Sequence, residues 1–320
     1  MTKLRSRSNF CDIALSRLTL LLLVLAACSG ASTSHASQTA APTVVARIRT
    51  GYKPCASVAY RGSLYVVTYG AGTIVRIDPK RNRVTRRAKL GPRPCGLVSG
   101  GGALWVDGFG DDTIDKFDPR RFRVVRRIHV GSQPYDVAYA AGSVWSSNFG
   151  DGTVSRIDPR RGRVVATIRT GGQPGGLRYA AGSVWVGSNG GREIYRIDPA
   201  TNRVVTVPVG RDSPTWLEAT DTAVWAASGP SNTVVRIDPA TNRVTADVPV
   251  GTFPVDGVVG PDGLVWIPNQ GSNSVSRIDP ATNTVVDTVK VGPLPFVARR
   301  GFGDMWISNF GGFAIWRLRA

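Results

Sequence analysis

Histidine is nearly missing from this chain: its 320 residues contain two, His35 and His129. A zinc site usually draws on several imidazoles, and a Ser-His-Asp relay needs one beside its nucleophile. His35 lies in a short polar segment near the N-terminus and His129 inside an expected outer strand, so neither construction is available. Aspartate and glutamate remain as the groups able to bind a hard cation or move protons. Long apolar runs are missing too. The best candidate, LTLLLLVLAA at 18–27, is half the length of roughly 20 residues that a membrane-spanning helix needs. Acidic residues are few, 22 against 40 lysines and arginines, and the formal charge is +18. Helical periodicity is absent throughout.

The short apolar run follows Lys3, Arg5, Arg7 and Arg17, the layout of a secretory signal peptide. It ends Leu25-Ala26-Ala27-Cys28, which resembles a bacterial lipoprotein cleavage site, with Cys28 as the lipidated first residue of the mature chain. The expected organisation is a signal peptide at 1–27, a flexible tether at 28–42 and one domain at 43–320. The tether composition, SGASTSHASQTAAP at 29–42, has no apolar period with which to build a core. The chain is therefore expected to be exported and held on the outer side of the cytoplasmic membrane or in the cell envelope. Cys11 leaves with the leader, so Cys55 and Cys95 remain as a disulfide candidate or a free or metal-binding pair.

Three markers repeat with a step of 40 residues, once 41: the aspartate of Ile/Phe-Asp-Pro from Asp78 to Asp279, a proline from Pro54 to Pro295, and an aromatic from Tyr65 to Trp306. The last two count seven units. Each holds four short strands, as in YDVAYA, SVWSSNF, TVSRIDP and RVVATIR of the third, separated by Gly and Asp-Pro turns. That is the signature of an all-β, seven-bladed β-propeller with four antiparallel strands per blade. The seventh unit stops after its third strand, and TVVARIR at 43–49 reads as a displaced fourth strand, so the N-terminal strand is expected to complete blade seven and close the ring.

The pattern VW-x-x-N-x-G-x-G-T-V-x-RIDP-x-x-N-RVV followed by Gly-x-x-Pro resembles the YVTN-type repeats of bacterial surface propellers and the virginiamycin B lyase (streptogramin lyase) propellers, over essentially all of 43–320. The lyase resemblance implies histidines directly after the loop proline on two neighbouring blades, a glutamate just past the tryptophan strand, and a divalent metal. Here the residues after those prolines are Cys55, Cys95, Tyr135, Gly175, Thr215, Val255 and Phe296, and no glutamate follows the aromatic strands. The resulting expectation is a monomeric, non-catalytic binding scaffold with no cofactor and no metal. The alternative is a lyase-like or other propeller enzyme that uses upper-face carboxylates.

Propeller geometry sorts the loops onto two faces. The upper face gathers Tyr69, Phe109, Phe149 and Phe310 from the loops after the tryptophan strand and Tyr135, Trp216 and Phe296 from the proline loops, with Asp111, Asp136, Asp151 and Asp256 beside them. Aromatic platforms next to carboxylates suit a protein, peptide or glycan ligand. The plainer reading of Asn-Phe-Gly is a repeat turn whose ring packs between blades. The lower face carries Arg81, Arg83, Arg86, Arg87, Arg120, Arg121, Arg126, Arg127, Arg160 and Arg161, part of a cluster of 15 basic residues on blades one to three against three on blades four to six. An anionic membrane or cell-wall polymer is the expected partner; nucleic acid lacks a recognition motif. Phe122 replaces the Asn or Gly of the other Asp-Pro turns, and either inserts into such a surface or packs locally.

Overall fold

Alternating β-branched and aromatic residues, punctuated by Gly, Asn and Asp-Pro, become short antiparallel strands in the computed structural model, which describes residues 41–320. The expected signal peptide, Cys28 and nearly all of the tether lie outside the described residues. Seven four-stranded sheets are arranged as the blades of a ring, with no helix among the described residues. Blade one runs Pro54–Tyr60, Ser63–Thr68, Thr73–Asp78 and Arg83–Lys89 from the channel outward. Blade seven takes its outer strand from the start of the chain: Thr43–Arg49 pairs antiparallel with Ala314–Arg319, Ile48 opposite Ile315. Joining the two ends in one sheet removes the free edges that an open ring would expose.

The aromatic marker of each repeat is its core residue. Trp105, Trp145, Trp185, Trp225, Trp266 and Trp306 are each at most 1% exposed, on the second strand, packed between their own sheet and the next. Burying a large ring while leaving its N–H unbonded would be costly. Trp145 and Trp185 donate instead to the carbonyls of Ala140 and Ala180, at 3.1 Å each.

Over each tryptophan lies the cation of the third strand, and on five blades its far end reaches the neighbouring blade. Arg196 sits 5.0 Å from the centre of the Trp185 ring and donates to the Pro239 carbonyl at 2.7 Å and Asn242 Oδ1 at 3.0 Å. Arg156 makes the same bonds to Pro199 and Asn202, and Arg236 to Pro280 and Asn283. Arg317 of blade seven reaches Pro79 and Asn82 of blade one, so the ring is tied at its seam by the same device. The asparagine can receive this bond because it holds a left-handed backbone, φ 51° to 60° at Asn82, Asn202, Asn242 and Asn283.

Phe122 occupies the same left-handed position, φ 57°, so the turn does not shift to accommodate it. Its ring is 5% exposed and lies edge-on to Phe117 at 5.2 Å, with Arg86 4.5 Å above it. Local packing is therefore what the structure adopts, and insertion into an external surface is not available to this side chain. Cys55 and Cys95, at equivalent sites on blades one and two, are joined as a disulfide with a Cα separation of 5.1 Å.

Replacing Arg196 by methionine keeps most of the stem over Trp185 but orphans two acceptors on the next blade. A loss of about 2–4 kcal/mol is expected from the charged hydrogen bonds and the ring contact together. Urea unfolding should show it as a lower midpoint with an unchanged slope.

Candidate functional site

The upper-face aromatics come together. Tyr69 contacts Phe310 at 5.4 Å, Phe310 contacts Phe296 at 5.4 Å, and Phe296 meets Trp216 edge-on at 5.1 Å. Trp216 stacks on Tyr135 at 5.0 Å, and Tyr135 touches Phe149 at 5.2 Å and Phe109 at 6.2 Å. Seven rings from five blades thus form a continuous arc at the top of the channel. Six of them, with Cys95, enclose a bowl of about 170 Å³. A dry apolar cavity of roughly 150 Å³ is known to take a benzene ring, so this bowl has room for one aromatic or branched side chain. The upper-face loops can converge this way because the lower-face turns are held to one template by the interblade arginines.

The four aspartates predicted beside these rings have separate fates. Asp111 accepts from the Thr113 hydroxyl at 2.9 Å, and Asp151 from Ser132 N at 2.9 Å and the Thr153 hydroxyl at 2.6 Å. Both fix loop conformation. Asp136 and Asp256, which hold equivalent positions two residues after the loop proline of blades three and six, turn down into the channel and are at most 5% exposed. There they meet residues that the sequence reading missed. Asp136 Oδ2 accepts from Leu177 N at 2.8 Å and faces Arg178 Nη1 at 3.4 Å. Asp256 is paired with Arg178 on one oxygen and with Arg299 on the other, the latter at 2.6 Å. Glu218 completes the set through Arg178 Nε at 3.3 Å. The signal that could have found them is the residue four places after each loop proline in blades one to seven: Val58, Val98, Ala138, Arg178, Glu218, Val258 and Arg299. Below the network the channel opens into a charged cavity of about 420 Å³.

Three carboxylates against two guanidinium groups leave one negative charge in excess, with Asp136 and Asp256 themselves buried. Burial drives the Asp136 carboxyl above the ordinary carboxylate range, although the Arg178 charge acts the other way. A proton on Asp136 would balance the set. A fourth carboxyl, Asp107 on the second strand of blade two, lies close by. Burial pushes it well above the ordinary range even though its oxygens accept from Cys95 N at 2.6 Å and Gly96 N at 2.8 Å. The Tyr135 phenol is pushed up as well, first by burial and then by the carboxylates of Asp136, Asp107 and Asp256. Its hydroxyl therefore stays protonated, and it has no hydrogen-bond partner among the described residues. Among those residues no cluster of three or more His, Cys, Asp or Glu has the form of a metal site.

All ten predicted arginines of the basic sector are exposed. Arg81, Arg121 and Arg161 lie 3.0, 3.8 and 3.5 Å from the aspartates of their own turns. Arg127 pairs with Asp115 at 3.1 Å, and Arg87 donates to Thr73. Arg83, Arg120, Arg126 and Arg160 carry their charge without an ion pair among the described residues.

Comparison with known proteins places this geometry. The family described as glutamine cyclotransferase matches residues 29–178, which reach from the N-terminal strand through blade three into the first strand of blade four. No curated protein matches the sequence. Among solved structures, a streptogramin B lyase is similar with a TM-score of 0.77 and 16% identity, over 87% of this chain and 97% of that one. Virginiamycin B lyase from Staphylococcus aureus gives 0.75 and 15%, over 88% and 100%. Hydrazine synthase of Kuenenia stuttgartiensis gives 0.72 and 16%, over 85% and 97%. The fold is thus a virginiamycin B lyase-like seven-bladed propeller. The expectation of a non-catalytic chain is corrected by the same findings: the matching family is named for an enzymatic activity, and so are these neighbours. The missing lyase histidines bear on one catalytic layout and leave carboxyl and phenol chemistry untouched.

Asp115, on the third strand of blade two, tests how far burial controls these groups. Burial raises it to about 6, with Arg127 opposing. A carboxyl raised on folding stabilises the fold while protonated, and that contribution is lost as pH rises from about 4 to 6. Asp115→Asn cannot ionise, so its stability relative to wild type should climb by up to about 3 kcal/mol across that window and then level off. Thermal unfolding of the two proteins between pH 4 and 7.5 measures this, and a constant difference would contradict it.

Proposed function

We propose that the chain is a propeller enzyme that handles a peptide-like substrate at the upper mouth of the channel, with glutamine-cyclotransferase-type ring closure as its reaction. In such a reaction the free α-amine of an N-terminal glutamine attacks the carbon of its own side-chain amide. A C–N bond forms, the amide C–N bond breaks, and ammonia leaves with the proton given up by the amine. No cofactor or second substrate enters the balance. The catalyst has to hold the chain end in a folded-back conformation, stabilise the oxygen on which charge develops, and keep water out.

The observation that carries this reading is the Tyr135 hydroxyl, an unbonded donor set among aromatic rings directly above a buried acidic cluster. Rings of Trp216, Phe296 and Phe310 would hold an apolar part of the substrate. Tyr135 would donate to the amide oxygen, and the negative charge of the Asp136 and Asp256 neighbourhood keeps its proton in place. A lyase-type elimination places the same demands on a donor for developing charge, and it is the second reading favoured by the fold.

Incubation with a glutaminyl-phenylalanyl peptide should release ammonia, with a 17 Da loss followed by mass spectrometry. Tyr135→Phe keeps the ring and its stacking, and kcat should fall about 10²- to 10³-fold with little change in KM, the size seen when one such donor is removed. Trp216→Ala should act mainly on KM. If glutaminyl peptides are untouched while virginiamycin B is cleaved, the lyase reading replaces the cyclotransferase one. If neither is turned over, both fall.

A further inference from the structure

The rim of the bowl is built from one backbone template carrying different side chains. The residue before the loop proline reads, from blade one to blade seven, Lys53, Arg93, Gln133, Gln173, Ser213, Phe253 and Leu294. Six of the seven hold a left-handed backbone, with φ between 46° and 56°, Gln173 being the exception. A non-glycine residue adopts that conformation at a cost, so its recurrence marks a geometry imposed by the loop rather than by each side chain. The template thus presents two cations on blades one and two, neutral polar groups on blades three to five, and exposed apolar groups at Phe253 and Leu294 on blades six and seven.

The two cations face the bowl. Lys53 Nζ lies 5.3 Å from the centre of the Phe310 ring and 5.4 Å from that of Tyr52, and the Arg93 guanidinium lies 5.5 Å from that of Phe109. Phe310 and Phe109 both line the bowl. Neither cation belongs to an ion pair among the described residues. This contrasts with the channel arginines Arg178 and Arg299, whose charges are matched by carboxylates. Two residues further along each loop, the Cys55–Cys95 disulfide joins the two loops that carry Lys53 and Arg93. That covalent link fixes the two cation-bearing loops of adjacent blades relative to each other.

We propose that Lys53 and Arg93 form an anion clamp on the rim of the aromatic bowl, so that the ligand is an amphipathic anion: an aromatic or branched apolar body in the bowl with a carboxylate or comparable anionic group toward blades one and two. The proposal deepens the enzymatic reading, since it names the substrate class of the same site, namely peptide-like molecules whose apolar residue stands next to an acidic group or a free C-terminal carboxylate. It rests on the site being a binding site but not on which reaction occurs there. Lys53 is half-buried and Arg93 exposed, and a charge-assisted contact from each to a ligand anion is worth about tenfold in affinity.

Two fluorescent probes of similar shape separate the contributions without any turnover: the anionic anilinonaphthalene sulfonate and the uncharged phenylnaphthylamine. Binding of each to the 43–320 chain, titrated at 50 and 300 mM salt, is compared for wild type, Lys53→Gln/Arg93→Gln and Phe310→Ala. Phe310→Ala should weaken both probes, which places them in the bowl. The double variant should weaken the anion about 100-fold at low salt and leave the uncharged probe within twofold. Equal loss of both probes would mean that the cations only support the bowl, and an unaltered anion affinity would mean that they do not bind it. Either result, or indifference of both probes to Phe310→Ala, overturns the proposal. An inactive enzyme that nevertheless shows the charge-selective loss would leave the clamp standing and remove only the proposed reaction.

Discussion

A single contact repeated around the ring carries the architecture: a cation laid over the tryptophan of its own blade and hydrogen-bonded to the Asp-Pro turn of the next. It couples the two halves of the problem a propeller must solve. The ring face supplies a favourable seat for the stem and charge, and the carbonyl and asparagine acceptors at 2.6–3.1 Å, as at Arg196 and Arg156, fix the distance between blades. The exceptions follow from the same geometry. Lys116 has one point charge instead of a fork and faces Gly162 where other turns carry asparagine, and it bonds the Pro159 carbonyl at 2.9 Å. Blade two has Phe122 where an asparagine would accept, so Arg76 and Arg86 lie over its ring at 6.0 and 4.5 Å, replacing a hydrogen bond by a cation–ring contact. Arg277, over the Trp266 ring, pairs within its own blade with Asp262 and Asp287.

Because the lower turns are committed to holding blades together, chemical variety is confined to the other face. There the proline loops and the loops after the tryptophan strand keep a common backbone while their side chains change from blade to blade. That division explains how rings from positions as far apart in sequence as Tyr69 and Phe310 meet at 5.4 Å. Several arginines of the basic sector pair with their own turn aspartates or lie over Phe122, and the others lie in lower turns and outer strands that carry no part of the bowl.

The fold was legible because periodicity is a property of the chain alone: Asp-Pro, Gly and Trp recur at a fixed step, and only a closed ring of four-stranded units uses all of them. The aromatic arc was legible for the same reason, since equivalent loop positions in a ring must face one mouth. The channel network was not. Arg178, Glu218 and Arg299 each look like an ordinary polar residue on a strand, and Arg178 meets Asp256 across 78 residues through the centre of the ring, where no neighbouring repeat predicts a partner. Asp107 was hidden likewise, because its partners are backbone N–H groups of the preceding loop. Catalytic character was misjudged for a related reason. Histidine scarcity excludes imidazole chemistry, but it does not bear on a phenol and carboxyls whose proton affinities are set by burial.

Charge is layered along the channel axis, and the layering constrains how any ligand can sit. The rim on blades one and two is positive, the bowl is apolar, and the floor below Tyr135 holds more carboxylates than guanidinium groups. An anion is therefore favoured at the rim and disfavoured at the floor, while the apolar layer between them resists hydration of either. A molecule with one anionic end can satisfy this field in only one orientation, with its apolar group over Trp216 and Phe296 and its remaining polar atoms within reach of the Tyr135 hydroxyl. The acidic floor has a second consequence in the same direction. Burial first, and then the floor's carboxylates, hold the phenol proton against loss, so Tyr135 is suited to donate to developing negative charge and not to act as a base. In the proposed ring closure, the proton that the attacking amine gives up would therefore leave by another path, through the leaving group or solvent at the open mouth of the bowl.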